Sequence, residues 1–452
     1  MVEKKLQRRG TQSARLLSPD VARGLALLGI AMANIPAAWV SYELIDDGTK
    51  LGGVQPGAEG IQLALDKMTM VFGAMFVHVR GLPMFSTLLG FGIGLISMSL
   101  ARRGFPRSEA WKVLIRRYGF LALFGVVHAV FLFYGDIMMM YGLMGIVLTL
   151  MIGFSNKGLA WVAGILYWLG TLGMASTFIG TFFVEDLDTK FTTVEPNPDT
   201  YLGWLGLGVI SAAMHIPLTI AAGFSLFPVI IIGFIFARSG VLHEPDKHQK
   251  TLWAWTITAG VIILFIGLPW GLAEIGVLNP QWAGRLSLLN QTFGYLTGPG
   301  IVSFTALVLR GAQRRYKQTG TVPALLRAPV ALGKRSMSGY LVQSIILFIL
   351  MPQFTLGLFV DAGAFWLAIV GLGTWVITLV LASVLEAAGL PGPFEWLHRR
   401  LSYGRDGLHQ RWIPPQQMQV LPLGHTHSSA WPTHPVRHPY NPQHPQSPQE
   451  KS

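Results

Sequence analysis

Two arginines in this chain are each followed, eleven positions later, by a polar residue within an apolar run. The pairs are Arg23 with Asn34 and Arg117 with His128. Eleven residues make almost a whole number of helical turns, so each pair lies on one helix face, about 16 Å apart along the axis. A neutral histidine in an apolar setting can accept a proton, as a general base must. The spacing predicts a helix with an arginine at one end and a candidate general base eleven residues further along the same face.

Structural explanations exist for the same residues. Arg23 can anchor a helix at a membrane surface, and Asn34 and His128 can bond to neighbouring helices. Asp136, in the turn after the His128 helix, can cap the next helix, or it can orient His128 or a substrate hydroxyl. We predict His128 and Asp136 as the catalytic residues and keep the structural roles as alternatives.

A further polar group follows the basic loop 310–335, on a helix that we predict to begin near its end. Polar residues within membrane helices are costly and are therefore functional candidates, although packing alone also explains this group. The predicted substrate-binding residues are Arg23, Asn34, Arg117, Tyr340 and Gln343. The residues predicted to bind an anionic co-substrate are Arg116, Lys334 and Arg335.

The composition indicates the environment of these residues. Hydrophobic residues make up 51% of the 452 positions and charged residues 12%, whereas soluble domains carry about 25% charged residues. Apolar runs of 18 or more residues recur, and each can cross a hydrocarbon core of about 30 Å. The net charge of +12 comes from short loops between apolar runs, which favours membrane topology over nucleic-acid binding. The sequence therefore predicts an all-α, polytopic transmembrane helix bundle.

We predict about ten membrane helices, with both termini in the cytoplasm. Loops 101–117 and 310–335 are basic, while 41–67 and 184–202 are acidic, and lysine and arginine favour the cytoplasmic side. Segments 60–79 and 203–216 are expected at the membrane interface or as re-entrant segments. The ten predicted helices are 22–42, 82–101, 117–134, 136–154, 158–183, 219–237, 252–272, 290–309, 337–358 and 364–386.

The predicted domains are a basic N-terminus (1–18), a membrane domain (19–404) and a tail rich in Pro, Gln and His (405–452). The tail has little to bury and is expected to be disordered. The chain has no cysteine, so disulfides, thiolate nucleophiles and zinc–thiolate sites are excluded. The membrane domain contains no metal-ligand cluster and no GxSxG, HExxH or P-loop pattern, and glycines 90, 92 and 94 favour close helix packing.

Several stretches together resemble one family of bacterial inner-membrane proteins. They are PDVARGLALLGIAMANIP, FSTLLGFGIGL, RRYGFLALFGVVHAVFLFYGDIMMMYG, FPVIIIGFIFARSGVL, GKRSMSGYLVQS and GPFEWLHRRLSYG, which span residues 19–404. The family is the YeiB-like one, also described as domain of unknown function 418. The resemblance implies a multi-pass protein of the bacterial inner membrane and assigns no firm activity.

The YeiB-like family is similar, more distantly, to transmembrane acyltransferases of the acyltransferase-3 and heparan glucosaminide N-acetyltransferase types. That similarity implies transfer of an acyl group from cytoplasmic acyl-CoA to a hydroxyl or amine of a sugar or lipid acceptor. Acyltransferase-3 proteins carry an arginine, ten residues and a catalytic histidine on the first helix. Arg23 matches that arginine, but Asn34 stands where the histidine is expected, whereas Arg117 and His128 repeat the spacing on a later helix.

Three hypotheses follow. The leading one is an acyltransferase that binds no resident cofactor, uses acyl-CoA as co-substrate and has the lipid bilayer as its partner. The alternative is a transporter or flippase for a small solute or lipid, which buried polar residues also favour. The third is a structural or sensory membrane protein, which requires no small-molecule site among Arg23, Asn34, His128 and Asp136. The oligomeric state does not follow from the sequence.

Overall fold

The computed structural model describes residues 15–39, 51–183, 198–359, 361–405 and 407–412. Every regular element within these ranges is a helix, which confirms the predicted all-α class. Residues 1–14 and most of the predicted tail lie outside the described residues. The predicted basic N-terminus and the disorder of the tail therefore stay predictions.

The helices fall into two consecutive groups along the chain. The first group comprises α1 (Leu17–Asn34), α2 (Gly60–Phe76), α3 (Gly81–Arg102), α4 (Arg107–Phe131), α5 (Met138–Leu150), α6 (Asn156–Gly180), α7 (Tyr201–Ala222) and α8 (Leu226–Arg238). The second group comprises α9 (Gln249–Ile262), α10 (Leu268–Glu274), α11 (Gln281–Phe293), α12 (Thr297–Val308), α13 (Arg310–Thr319), α14 (Ala324–Lys334), α15 (Ser336–Leu350), α16 (Ala364–Ala387) and α17 (Pro393–Tyr403). Irregular helical turns continue three of them: π-helical Ile35–Trp39 and Ile263–Gly267, and 3-10 helical Gly294–Leu296.

Within the described residues, seven helical stretches are long and apolar enough to cross a membrane, which indicates a multi-pass membrane protein. An eighth is reached if Gln281–Val308 and Arg310–Thr319, bent by 54° relative to each other, count as one span. Three of the ten predicted helices are shorter apolar helices, α5, α8 and α15. The count of ten and the cytoplasmic location of the termini therefore stay predictions. The seven stretches are Leu17–Trp39, Gly60–Arg102, Arg107–Phe131, Asn156–Gly180, Tyr201–Ala222, Gln249–Glu274 and Ala364–Ala387.

The segment before residue 238 differs from its prediction. Residues 203–216, expected at the interface, belong to α7, a helix of 22 residues that is apolar enough to span. The predicted helix 219–237 is divided by a turn after Ala222, and α8 begins at Leu226. Pro228 lies in the first turn of α8, where the missing N–H of proline costs no helical hydrogen bond. Apolar character alone could not separate these two helices.

The charge of Asp66, which suggested an interfacial position for 60–79, is buried instead. The carboxylate of Asp66 is fully covered and accepts the side-chain amide of Gln62 and the backbone N–H groups of Gln55 and Phe365. Phe365 lies in the first turn of α16, where free N–H groups favour a carboxylate. Asp66 therefore joins α2 to the start of α16, and α2 and α3 form one apolar stretch of 43 residues.

Helices α3 and α8 approach each other through glycines, as the glycine pattern predicted. A Cβ atom on Gly90 would overlap the carbonyl of Ile230, and one on Gly233 would overlap the carbonyl of Thr87. Small residues at such positions let membrane helices pack backbone against backbone. The pair α3–α8 therefore forms a rigid centre beside the helices that carry the polar residues.

The amphipathic helix α17 fixes the start of α15. Glu395 accepts the N–H groups of Met337 and Ser338 at 2.7 and 3.1 Å and also accepts the hydroxyl of Ser338. The same hydroxyl oxygen accepts the N–H of Phe394 at 3.1 Å. A carboxylate at a helix N-terminus pairs with unsatisfied N–H groups and with the helix dipole. The stretches GKRSMSGY and GPFEW are therefore joined in space, which positions the polar residues of α15.

Candidate functional site

His128 and Asp136 form a buried pair between α4 and α5. Nδ1 of His128 lies 2.8 Å from Oδ1 of Asp136, and the side chains are 1% and 0% exposed. The second carboxylate oxygen of Asp136 accepts the N–H of Met139 at 2.7 Å, in the first turn of α5. Asp136 therefore has both of the roles considered from the sequence, because it caps α5 and also orients His128.

The carboxylate determines which nitrogen of His128 carries hydrogen. An aspartate carboxylate only accepts hydrogen bonds, so Nδ1 of His128 donates, and in the neutral imidazole the lone pair is then on Nε2. Nε2 is buried and has no hydrogen-bond partner. A histidine oriented by a carboxylate through Nδ1, with Nε2 unprotonated, has the arrangement of a general base.

Helix α15 brings Tyr340 and Gln343 to the same region. The ring of Tyr340 lies 5.1 Å from the ring of His128, centroid to centroid, and its hydroxyl lies beside the backbone of Ile137. Gln343 is one turn further along α15, and neither polar atom of its buried amide has a hydrogen-bond partner. We define the histidine site as His128, Asp136, Tyr340 and Gln343. Its unpaired atoms offer both a donor and acceptors to a ligand.

Helix α7 holds the turn that carries Asp136, a role that the sequence did not indicate. His215 Nε2 lies 2.7 Å from the carbonyl oxygen of Asp136, and the hydroxyl of Ser211 donates to the carbonyl of Tyr134 at 2.5 Å. Trp204 Nε1 donates to the carbonyl of Leu132 at 3.3 Å. These three α7 residues lie on one helix face, and that spacing is the signal that could have found them.

The two arginines of the eleven-residue pairs lie near each other. Arg23 and Arg117 interact electrostatically with one another and with the buried phenol of Tyr118. Arg23 lies 3.5 Å from Asp20, while Arg117 donates to the hydroxyl of Tyr403 at 2.9 Å and its Nε has no partner. Helix α1 contains both members of the first pair, and helix α4 contains both members of the second. The cationic end formed by these arginines is therefore connected to the histidine site through α4.

The other predicted residues are placed differently. Arg116 is exposed, with its guanidinium 5.9 Å from the ring centre of Phe120. Asn34 is half-buried at the end of α1. Among the hydrogen bonds of the described residues, none joins Asn34 to His128 or Asp136. The helical pairing of Arg23 with Asn34 therefore leads to no direct contact with the histidine site.

Lys334 and Arg335 face an acidic partner. Both lie 2.6 Å from carboxylate oxygens of Glu386, and Arg335 also donates to the carbonyls of Ala331 and Leu390. These contacts tie α14 to the end of α16, and the two cations share the single negative charge of Glu386. Arg117, by contrast, bonds to a neutral phenol and keeps an uncompensated charge.

His398 of α17 contacts the backbone of the cationic end at Arg117. Its Nε2 lies 2.8 Å from the carbonyl oxygen of Arg117. Burial and, to a smaller extent, the nearby charge of Arg117 lower the pKa of His398 to about 4. A neutral His398 donates its N–H to that carbonyl, which fastens α17 to α4. Within the described ranges, no group of three His, Asp or Glu side chains is arranged to hold a metal ion.

Comparisons with known proteins agree with the resemblance seen in the sequence. Residues 236–405 match the model of a family described as a protein of unknown function, DUF418. The chain is 25% identical to the uncharacterized protein YeiB of Escherichia coli strain K12 over 404 residues, 86% of this chain and 96% of YeiB. It is also 25% identical to the uncharacterized protein YxaH of Bacillus subtilis strain 168 over 410 residues, 85% of this chain and 93% of YxaH.

The YeiB-like, DUF418 resemblance is confirmed. No solved structure matches the chain. The DUF418 match includes α15 and α17 but begins after α4, α5 and α7. The names of these relatives state no activity, so the function of this chain has to be argued from its own site.

Proposed function

We propose that the protein is a membrane-embedded acyltransferase that moves an acyl group from acyl-CoA to a hydroxyl or amine acceptor. The supporting observation is the buried His128–Asp136 pair, in which Nδ1 faces the carboxylate and Nε2 has no hydrogen-bond partner among the described residues. Acyl transfer needs a base that removes the proton of the attacking group, and an oriented neutral histidine supplies one. The distant resemblance to transmembrane acyltransferases points to the same class of reaction.

In this mechanism Nε2 of His128 takes the proton from the acceptor O–H or N–H while that atom attacks the thioester carbonyl carbon. The carbon–sulfur bond then breaks, the acyl group stays on the acceptor, and the CoA sulfur leaves with the proton that His128 returns. Asp136 stabilises the histidine while it carries the proton. Gln343, whose amide is unpaired, is assigned to bind the acceptor or the carbonyl oxygen.

The phosphates of acyl-CoA are assigned to the cationic end formed by Arg23, Arg116 and Arg117. The charge of Arg117 is uncompensated, and planar guanidinium groups bind phosphate through paired hydrogen bonds. Lys334 and Arg335 contribute less to this assignment because both are already paired with the carboxylate of Glu386. The proposal places this end in the cytoplasm, where CoA is found.

The test uses the purified full chain and radiolabelled acetyl-CoA. We expect saturable binding that Arg117→Ala weakens, and release of CoA thiol that His128→Gln reduces by about 10²–10⁴-fold. His243→Gln, a histidine substitution outside the histidine site, serves as the control and should leave release unchanged. The proposal fails if acetyl-CoA does not bind, or if His128→Gln and wild type release CoA at equal rates.

Transport of a small solute or lipid is the second candidate. It is favoured by irregular helical segments that meet at Arg80: the break between α2 and α3, the π-helical turn Ile263–Gly267 and the 3-10 turn Gly294–Leu296. Discontinuous helices form the substrate sites of many transporters. Counterflow of a solute in proteoliposomes, without any covalent product, would support this function in place of acyl transfer.

A further inference from the structure

Arg80 is a buried cation with only neutral partners. It lies at the break between α2 and α3 and is 2% exposed. Its guanidinium donates to the carbonyls of Ala74, Met75 and Val79 and, at 2.8 Å, to Oδ1 of Asn290. No acidic side chain of the described residues forms an ion pair with it. The other buried arginine, Arg335, has Glu386 as its counter-charge.

The hydrogen-bonding groups that remain unused on the side chains of Arg80 and Asn290 are all donors. A guanidinium carries five N–H groups, and four are used, so one hydrogen of Nη1 remains. The amide of Asn290 points its oxygen at Arg80, which leaves Nδ2 with two N–H groups. Nδ2 is buried without a partner, in a side chain of 0% exposure. A positive charge surrounded by unused donors is complementary to a negatively charged acceptor.

The backbone around Arg80 is irregular in three separate elements. Val79 has a φ of 56°, a strained conformation for a β-branched residue. A Cβ on Gly267, in the π-helical turn, would lie 3.1 Å from Nη2 of Arg80, and one on Gly294, in the 3-10 turn, 2.9 Å from Nη1. Strained residues and broken helices concentrate at ligand and ion sites in membrane proteins.

We propose that Arg80 and Asn290 form a binding site for a compact anion, either a halide or the carboxylate of a small organic acid. The remaining N–H of Arg80 and the free amide of Asn290 are the donors that would bind it. We call this pair with its surrounding turns the arginine site. It shares no residue with the histidine site, so this inference does not depend on acyl transfer.

The test measures the unfolding midpoint of the purified full chain in detergent. Gluconate, a bulky anion used as the reference, is replaced stepwise by chloride or by acetate at constant ionic strength. We expect a saturable rise in the midpoint, on the order of 2–4 °C, because a ligand that binds only the folded state stabilises it. A response to chloride alone identifies a halide site, and a response to acetate identifies a carboxylate site.

Two variants separate this site from general salt effects. Asn290→Asp places a carboxylate beside Arg80, so its midpoint should be higher in gluconate and insensitive to the anion. Asn290→Ala removes the free amide and should raise the half-saturating anion concentration about tenfold, which corresponds to one lost hydrogen bond. Asn279→Asp is the matched control, because Asn279 is exposed and its side-chain oxygen accepts the N–H of Gln281 far from Arg80 in the hydrogen-bond network; it should respond as wild type does.

The proposal is overturned if wild type has one midpoint in chloride, acetate and gluconate. That result would assign the unpaired donors to water alone. It is also overturned if Asn290→Asp responds to anions as wild type does, because the introduced carboxylate would then occupy no shared site.

Discussion

The histidine site and the arginine site stabilise a buried charge in two different ways. In the histidine site, the carboxylate of Asp136 accepts two hydrogen bonds, from His128 and from the N–H of Met139. In the arginine site, the charge of Arg80 is distributed over four neutral oxygens. In the histidine site the carboxylate has hydrogen-bond donors, and Nε2 of His128 is left unpaired. In the arginine site the guanidinium has hydrogen-bond acceptors, but its positive charge has no counter-charge among the described residues.

This difference indicates different chemistry. An unpaired lone pair on a positioned histidine can accept a proton from a reacting group. An unbalanced cation with spare N–H groups can bind an anion but has nothing to receive a proton, because a guanidinium stays charged. The molecule therefore contains one site suited to proton transfer and another suited to anion binding, and each can be changed without touching the other.

The largest effect that tests this comparison is the stability cost of losing the central acceptor in each site. Asp136→Ala leaves Nδ1 of His128 and the N–H of Met139 buried without an acceptor, so we expect a loss of about 2–5 kcal/mol. Asn290→Ala removes one of four oxygens around Arg80 and should cost about 1–2 kcal/mol. Unfolding free energies in mixed detergent micelles measure both.

Asp136→Asn is the control for the size of the side chain. Its single amide oxygen can keep one of the two hydrogen bonds that the carboxylate accepts, so the loss of stability should be intermediate. Equal costs for Asp136→Ala and Asn290→Ala would break the comparison. That result would mean that Arg80 depends on a single oxygen as strongly as the histidine site depends on its carboxylate.

The pairing of His128 with Asp136 was predictable because the two residues are close in sequence. His128 and Asp136 are eight residues apart, across one turn, and helical periodicity places Arg117 and His128 on one face of α4. The apolar runs likewise predicted an all-helical membrane protein. Sequence length and apolarity could not divide 203–238 correctly, because the turn at Gly223–Ser225 contains no charged residue that would mark a loop.

The remaining contacts depend on residues far apart in the chain. Glu386 is 51 positions from Arg335, and Asn290 is 210 positions from Arg80. His215 reaches Asp136 through a backbone carbonyl, and a carbonyl has no sequence signature. The sequence therefore predicts Lys334 and Arg335 as anion ligands, although both pair with Glu386. It carries no signal that marks Arg80 as a site residue.

Acid should weaken the attachment of α17 to α4 through His398. Its pKa is about 4 in the folded protein and about 6.5 when unfolded. The unfolded chain therefore binds the extra proton between these values, so stability is complete above pH 6.5 and is lost as pH falls toward 4. The loss should approach about 1.4 kcal/mol per pH unit, on the order of 2–3 kcal/mol in total.

Unfolding profiles from pH 7 to pH 4 for wild type and His398→Gln measure this loss. The glutamine keeps an N–H for the carbonyl of Arg117 but does not titrate in this range, so its profile should be flatter. Asn290→Ala, in the arginine site, should keep the wild-type slope. Parallel profiles for wild type and His398→Gln would show that another group governs the acid response.

The smallest effect concerns the contact between α7 and the turn of the histidine site. Ser211→Ala removes the hydroxyl that donates to the carbonyl of Tyr134, and the expected loss is about 1 kcal/mol. Ser383→Ala is the matched control, because the hydroxyl of Ser383 bonds only within its own helix, to the carbonyl of Leu379; its loss should be near zero. Unfolding in mixed micelles compares the two.

Ser211→Ala also sharpens the comparison between the sites. If α7 positions Asp136 through its backbone, this variant should slow CoA release severalfold while leaving the anion response of the arginine site as it is in wild type. A stability loss without any change in CoA release would make α7 a packing element only. A changed anion response would show that the two sites are coupled through the bundle, which would contradict their independence.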